Sequence, residues 1–145
     1  MKVKQLSIFV ENQPGRLAAV AKALGDNGIN IMAMTIAETR EFGVVRMIVG
    51  DPEKGMQVLK DAGFTVTTTN ILAIEVKNKP GALGKVLDAF VDNGLNIEYM
   101  YAFVARKEDA AILVFRFDST DKAIEALSGT DVAVLTNEEV VSLEK

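Results

Sequence analysis

The chain of 145 residues contains no cysteine and no histidine. Without cysteine there is no disulfide framework, no thiolate nucleophile and no Cys-x-x-Cys metal motif. Without histidine there is no imidazole base, so the commonest general acid–base and nucleophilic arrangements are excluded. No apolar run approaches 18 residues, which excludes a helix that spans a bilayer. The N-terminal segment MKVKQLSIFVENQPG lacks a long apolar core and a small-residue cleavage site, so it does not read as a leader. Basic runs are also missing: Lys and Arg are dispersed and the formal net charge is -4, which argues against nucleic acid as a partner. The default location of such a chain is the cytoplasm.

What is present is a duplication. Residues 11–34 (ENQPGRLAAVAKALGDNGINIMAM) align without a gap on residues 77–100 (KNKPGALGKVLDAFVDNGLNIEYM), 66 positions later, with 12 of 24 residues identical. The identities include Asn12/Asn78, Pro14/Pro80, Gly15/Gly81, Leu17/Leu83, Asp26/Asp92, Asn27/Asn93, Gly28/Gly94, Asn30/Asn96 and Ile31/Ile97. A unit of this size repeated twice fits two small globular domains better than a solenoid. The boundary is expected at Asn70, with domains over 1–70 and 71–145. With 49% hydrophobic and 25% charged residues, each half has the means to bury a core. A domain of roughly 60 to 70 residues is marginal alone, so the halves are expected to pack on each other.

Within each copy the periodicity changes in a fixed order. Lys4 to Val10 alternates with Leu6, Ile8 and Val10 on one face, the period of a half-buried strand. Asn12, Pro14 and Gly15 interrupt it. Leu17, Val20, Ala21 and Leu24 then follow helical spacing, repeated by Leu83, Val86, Leu87 and Phe90. Gly28 and Gly94 supply the left-handed residue that commonly ends a helix, and Asp26/Asn27 and Asp92/Asn93 read as its terminal turn. Residues 29–38 and 42–50 predict a strand hairpin, as do 95–105 and 110–117, the second with a longer charged turn at Arg106, Lys107, Glu108 and Asp109. Asp51 before Pro52, and Ser119, predict the start of a second helix in each copy, with Met56, Leu59, Ile124 and Leu127 inward. Residues 64–69 and 131–135 read as closing strands. Thr136 and Glu139 have capping-box spacing, so 136–143 is either a short helix or a further strand.

The resulting order, strand–helix–strand–strand–helix–strand, is α+β and ferredoxin-like: two βαββαβ units, each a four-stranded antiparallel sheet with two helices on one face.

The repeated turn carries the chemistry. Asn12-Gln13-Pro14-Gly15 and Asn78-Lys79-Pro80-Gly81 precede the first helix of each copy. N–H groups at a helix N-terminus lack intrahelical partners and lie at the positive end of the helix dipole, so they suit a carboxylate. Glycine admits close approach to the main chain, and an asparagine side chain offers donors and an acceptor, the latter suited to an ammonium group. A free amino acid needs that combination. The same residues would also be needed to make the turn with no ligand at all.

With these motifs the chain resembles the ACT domain, the small ferredoxin-like regulatory module of amino-acid-metabolising enzymes. The resemblance rests on the Asn-x-Pro-Gly-x-Leu turn (Asn12 to Leu17, Asn78 to Leu83) and on Asn27-Gly28-Ile29-Asn30-Ile31 and Asn93-Gly94-Leu95-Asn96-Ile97. It covers both halves, hence nearly the whole chain, and so implies a stand-alone tandem protein. It implies that a free amino acid binds where two units meet, between the first turn of one and the second strand of its neighbour. That nominates Asn12, Pro14, Gly15, Arg16 and Leu17 with Asn30, Ile31 and Met32, and Asn78, Pro80, Gly81, Ala82 and Leu83 with Asn96, Ile97 and Glu98. The copies differ at Arg16/Ala82 and Met32/Glu98, so the two sites need not be equal. The resemblance also implies a homodimer, an enzyme of amino-acid metabolism as a regulated partner, no cofactor, no metal and no catalysis.

Other residues carry plainer alternatives. Met32, Met34, Met47 and Met100 either line an apolar pocket or fill core gaps. Tyr99, Tyr101 and Phe103 alternate on one strand face, as an aromatic wall or as core. Arg46 and Arg116 fall out of register when the helices that follow them are aligned at Lys54 and Lys122, so they are not a repeated clamp. Two other functions compete with amino-acid binding: an interaction module with degenerate sites, and an acylphosphatase-like hydrolase using the lone first-turn Arg16.

Overall fold

A computed structural model describes residues 2–103 and 109–143, and these divide into two compact units, residues 4–69, and residues 70–143 together with residues 2 and 3. The first contains β1 (Val3–Glu11), α1 (Arg16–Asp26), β2 (Ile31–Glu38), β3 (Phe42–Val49), α2 (Pro52–Asp61) and the start of β4 (Thr65–Lys77). The second takes up the remainder of β4 and adds α3 (Ala82–Asp92), β5 (Ile97–Ala102), β6 (Ala110–Phe117), α4 (Thr120–Ala126), β7 (Ala133–Val134) and α5 (Asn137–Ser142). The fold is α+β, with the βαββαβ order of the ferredoxin-like unit occurring twice.

Strand order is β2-β3-β1-β4 in the first unit and β5-β6-β4-β7 in the second. The strand registers match between copies: Glu11 pairs with Phe42 as Lys77 pairs with Ala110, and Ile31 pairs with Val49 as Ile97 pairs with Phe117. Alternation places Leu6, Ile8 and Val10 of β1 and Val45, Met47 and Val49 of β3 in one core with Val20, Leu24 and Leu59 from the helices. In the second unit Leu72 and Ile74 meet Val86, Phe90, Phe115, Phe117 and Leu127. Phe90 stands edge-on to both neighbouring rings, with centroids 5.3 Å from Phe115 and 4.7 Å from Phe117.

Several sequence expectations are corrected. Leu17, Ala21 and Leu83 do not face the core: Leu17 and Leu83 remain 38% and 39% exposed, because the buried stripes of α1 and α3 begin only at Val20 and Val86, one turn into each helix. Asn70 does not break the chain into two strands, since β4 runs through it. The closing strand over 131–135 shrinks to the two residues of β7, whose neighbours in the preceding segment are taken up by turns at Gly129 to Asp131. The last segment is helical, and Thr136 Oγ1 accepts from the Glu139 N–H at 3.1 Å. Of the second hairpin, Val104, Ala105, Arg106, Lys107 and Glu108 lie outside the described residues.

Candidate functional site

The Asn-x-Pro-Gly turn is built the same way twice. After β1 the Asn12 N–H donates to the Glu41 carbonyl at 2.8 Å, Gln13 N–H to Glu11 at 2.8 Å, Arg16 N–H to Gln13 at 3.3 Å and Ala19 N–H to Gly15 at 3.0 Å. In the second unit Asn78 donates to Asp109 at 2.9 Å, Lys79 to Lys77 at 3.0 Å, Ala82 to Lys79 at 3.3 Å and Lys85 to Gly81 at 3.2 Å. Gly15 and Gly81 adopt φ of 88° and 89°, left-handed values that admit glycine and strain most side chains. Pro14 and Pro80 are exposed beside them.

The helix ends set these two turns apart. Asp51, Ser119 and Thr136 cap α2, α4 and α5, each accepting a hydrogen bond from a first-turn N–H. Acidic residues reinforce them: Glu53, Asp121, and Glu138 with Glu139. In α1 and α3 the cap residue is glycine, no side chain caps the helix and no acidic residue lies in the first turn. The N–H groups of Leu17 and Ala18, and of Leu83 and Gly84, are therefore left at an uncompensated positive helix end, open to a negative group from outside.

Asn12 does not serve as the cap. Its side-chain amide donates to the carbonyls of Thr39 and Arg40, at 3.4 Å each, and so ties the turn to the β2–β3 connection. The sequence offered no signal for that contact, since it depends on which hairpin lies beside the turn. Arg16 lies 3.5 Å from the Glu11 carboxylate, with both side chains about half exposed.

The second-strand residues stand at the other end of each sheet. Asn30 accepts from the Gly50 N–H at 3.0 Å, and Ile31 begins β2 opposite Val49. From Phe42, beside the turn, to Val49, beside Ile31, is seven strand steps, roughly 24 Å. The same separation holds between Ala110 and Phe117 in the second unit. Asn12, Pro14, Gly15, Arg16 and Leu17 are thus brought together, as are Asn30, Ile31 and Met32, but the two groups are not brought together within one unit. The same is true of Asn78, Pro80, Gly81, Ala82 and Leu83 against Asn96, Ile97 and Glu98.

Met32 and Glu98 occupy corresponding irregularities. The register shifts between Ile31 and Ala33 and again between Ile97 and Tyr99, so each is the extra residue of a β-bulge, a device that re-aims a side chain. Met32 is buried, whereas Glu98 is exposed and lies 3.6 Å from the Arg116 guanidinium. Arg116 is opposite Tyr99 and Ile48 is opposite Ala33, so Arg116 corresponds to Ile48 and not to Arg46.

The remaining candidates divide between core and surface. Met47 is fully buried in the first core, Met100 packs against the second, and Met34 is exposed. Tyr101 and Phe103 are buried and Tyr99 is half-buried. Asn27 and Asn93 terminate α1 and α3, each donating its side-chain amide to an alanine carbonyl one turn back at 2.8 Å. Among the described residues no cluster of Asp and Glu is placed to hold a metal ion, and no helix is long and apolar enough to cross a membrane.

A family model described as an ACT domain pair matches residues 1–144. No curated protein matches. Among solved structures, protein BT0572 from Bacteroides thetaiotaomicron shares 42% identity and a TM-score of 0.91, covering 97% of this chain and 96% of that one. The ligand-free regulatory subunit of aspartate kinase from Thermus thermophilus shares 18% identity with a TM-score of 0.62, over 86% of this chain and 89% of the other. The corresponding subunit from Thermus flavus shares 18% with a TM-score of 0.59, over 86% and 89%. The latter two likenesses are of fold.

Proposed function

The chain belongs to the ACT domain pair family, and from that premise we propose that it is a non-catalytic regulatory protein that binds a free amino acid. The ligand carboxylate sits on the open N-terminus of α1 or α3, against Asn12 with Gly15 or Asn78 with Gly81. The start of β2 or β5 from a neighbouring unit supplies the other wall. That neighbour is either the second half of the same chain or a second copy of it, and the protein acts as a homodimer in the cytoplasm.

The observation that carries this reading is the contrast in capping. Three helices are closed by side chains and acids, whereas the two that follow the repeated motif are left open. A helix start with glycine at the cap forgoes roughly a few tenths of a kcal/mol that Ser, Thr, Asp or Asn would supply. A bound carboxylate recovers it. The separation of the two residue groups supports a site shared between units, because about 24 Å within one unit exceeds any amino acid. The exposed Leu17 and Leu83 give such a site an apolar edge.

A hydrolase using Arg16 is disfavoured on two grounds: the guanidinium is engaged by Glu11, and Ala82 replaces it in the second copy. Binding wedged between units favours one arrangement of them by the ligand's differential affinity, which an enzyme of amino-acid metabolism then reads as partner. Affinity is expected at tens of micromolar or weaker, since a ligand of about ten heavy atoms at 1 µM already needs about 0.8 kcal/mol per atom.

The test is a thermal-shift panel of the twenty free amino acids at millimolar concentration on wild type, Asn12→Ala and Asn78→Ala. A ligand-specific rise abolished by one or both substitutions identifies the working site, because binding to the folded state must stabilise it. No rise with any amino acid sinks the reading in favour of a protein-interaction module.

A further inference from the structure

Each unit has a groove at the same place, bounded by the end of its first strand, the N-terminal part of its first helix and the loop before its last strand. In the first unit the groove is about 280 Å³ and is lined by nine residues, among them Phe9, Arg16, Phe42 and Phe64. In the second it is about 890 Å³. The 66-residue offset, the paired registers at Phe42 and Ala110, and alignment of the buried Leu59 with Leu127 map each of the nine onto a residue lining the larger groove. Along that map Phe9 becomes Glu75, Arg16 becomes Ala82, Phe42 becomes Ala110 and Phe64 becomes Val132. Three of these exchanges remove large side chains, and the fourth removes an aromatic ring.

Backbone opens the groove further. β7 pairs with β4 only at Ile74 and Glu75, so Val76 and Lys77 are hydrogen-bonded to β6 on one side and border the groove on the other. The Glu11–Arg16 ion pair that spans the smaller groove has no counterpart, because its positions hold Lys77 and Ala82. The duplicate has kept the shape of this place and lost its filling.

The geometry points to a second small-molecule site, in the larger groove, for an amphipathic monocarboxylate. Its volume falls within the roughly 300 to 1,000 Å³ usual for ligand pockets. Val76, Val86, Leu127 and Val132 form an apolar wall for the body of the ligand. Lys79 and Lys85 flank the uncapped start of α3, so lysine charge and helix dipole favour a negative head at one end of that wall. No described ion pair involves Lys77, Lys79 or Lys85. Asp109 and Asp131 also line the rim and disfavour a second negative charge on the ligand, which selects a monoanion. All of the lining residues belong to one unit; the groove meets the amino-acid site proposed above at Ala82 and the start of α3, but Lys79, Lys85 and the apolar wall are no part of that site.

The test is titration of the full chain with octanoate by calorimetry, with octylammonium as the opposite-charge control. Expected is one octanoate per chain, no binding of octylammonium, and at least a tenfold loss of affinity in both Ala110→Phe/Val132→Phe and Lys79→Gln/Lys85→Gln. The first variant restores the bulk of the other copy. The second alters only exposed side chains and decides the matter if the first fails to fold. The amino-acid thermal shift should persist in Lys79→Gln/Lys85→Gln, which separates this site from the other. No octanoate binding at millimolar concentration, equal binding of octylammonium, or affinity unchanged in Lys79→Gln/Lys85→Gln overturns the assignment.

Discussion

The side-chain amide of Asn12 lies 3.4 Å from the carbonyl of Thr39, so the residue that opens the repeated motif is fastened to the β2–β3 turn and not to the helix it precedes. That turn is already closed without it, by Thr39 N–H to the Phe42 carbonyl at 2.7 Å and by Phe42 N–H to Thr39 Oγ1 at 3.2 Å. Asn12→Ala should therefore cost less than about 1 kcal/mol in urea unfolding, while it abolishes the ligand-induced thermal shift of its site. A large stability loss with the shift intact would reverse the assigned roles.

At Gly15 and Gly81 an added Cβ meets nothing within 4 Å, so alanine is resisted only by the left-handed backbone. Gly15→Ala and Gly81→Ala should each cost about 1 to 2 kcal/mol, and asparagine should recover part of it. Because both sites share the same φ, chemical denaturation should give similar losses for the two.

Gly55 presents the opposite case. Its Cβ would stand 3.2 Å from Leu6 Cδ1 and 3.3 Å from Val49 Cγ2, where α2 packs onto the sheet. Gly55→Leu gains about 1 kcal/mol in helix propensity and forces several more carbons into that contact. A net loss of about 1 to 3 kcal/mol is expected, read from the urea midpoint.

Phe90 and Leu24 hold the same place in the two helices, but only Phe90 meets two aromatic rings. Phe90→Ala should cost about 3 to 5 kcal/mol, and Phe90→Leu clearly less. Calorimetric unfolding of both variants tests whether the aromatic trio, and not volume alone, sustains the second core.

Exchanging the bulge residues tests the difference between the amino-acid sites. The Glu98–Arg116 pair is partly exposed and contributes at most about 1 kcal/mol, so Glu98→Met should leave the melting temperature nearly unchanged. It should nevertheless change which amino acids produce a shift at that site, measured with the same panel. An unaltered response profile would remove Glu98 from the site.

Much of this protein is local in origin and was legible in the chain. Alternation in Lys4 to Val10, helical spacing around Val20 and Leu24, and the caps at Asp51, Ser119 and Thr136 each involve residues a few positions apart, where chain geometry alone relates them. Duplication then disclosed the fold, since each ambiguous segment is read twice. The inward placement of Leu17, Ala21 and Leu83 misled because helical spacing states which residues share a face, not how much of the helix the sheet covers.

Tertiary structure decided the rest, through relations between residues distant in sequence. It moved the Asn12 side chain from the helix start to Thr39, and set Met32 and Glu98 in bulges that only strand pairing creates. The two groups of motif residues went to opposite ends of each sheet. Composition named residues such as Phe42 and Ala110 without distinguishing their effect. Only strand register and the short β7 turned that exchange into a filled groove in one unit and an open one in the other, because empty space is a property of several side chains converging from different elements.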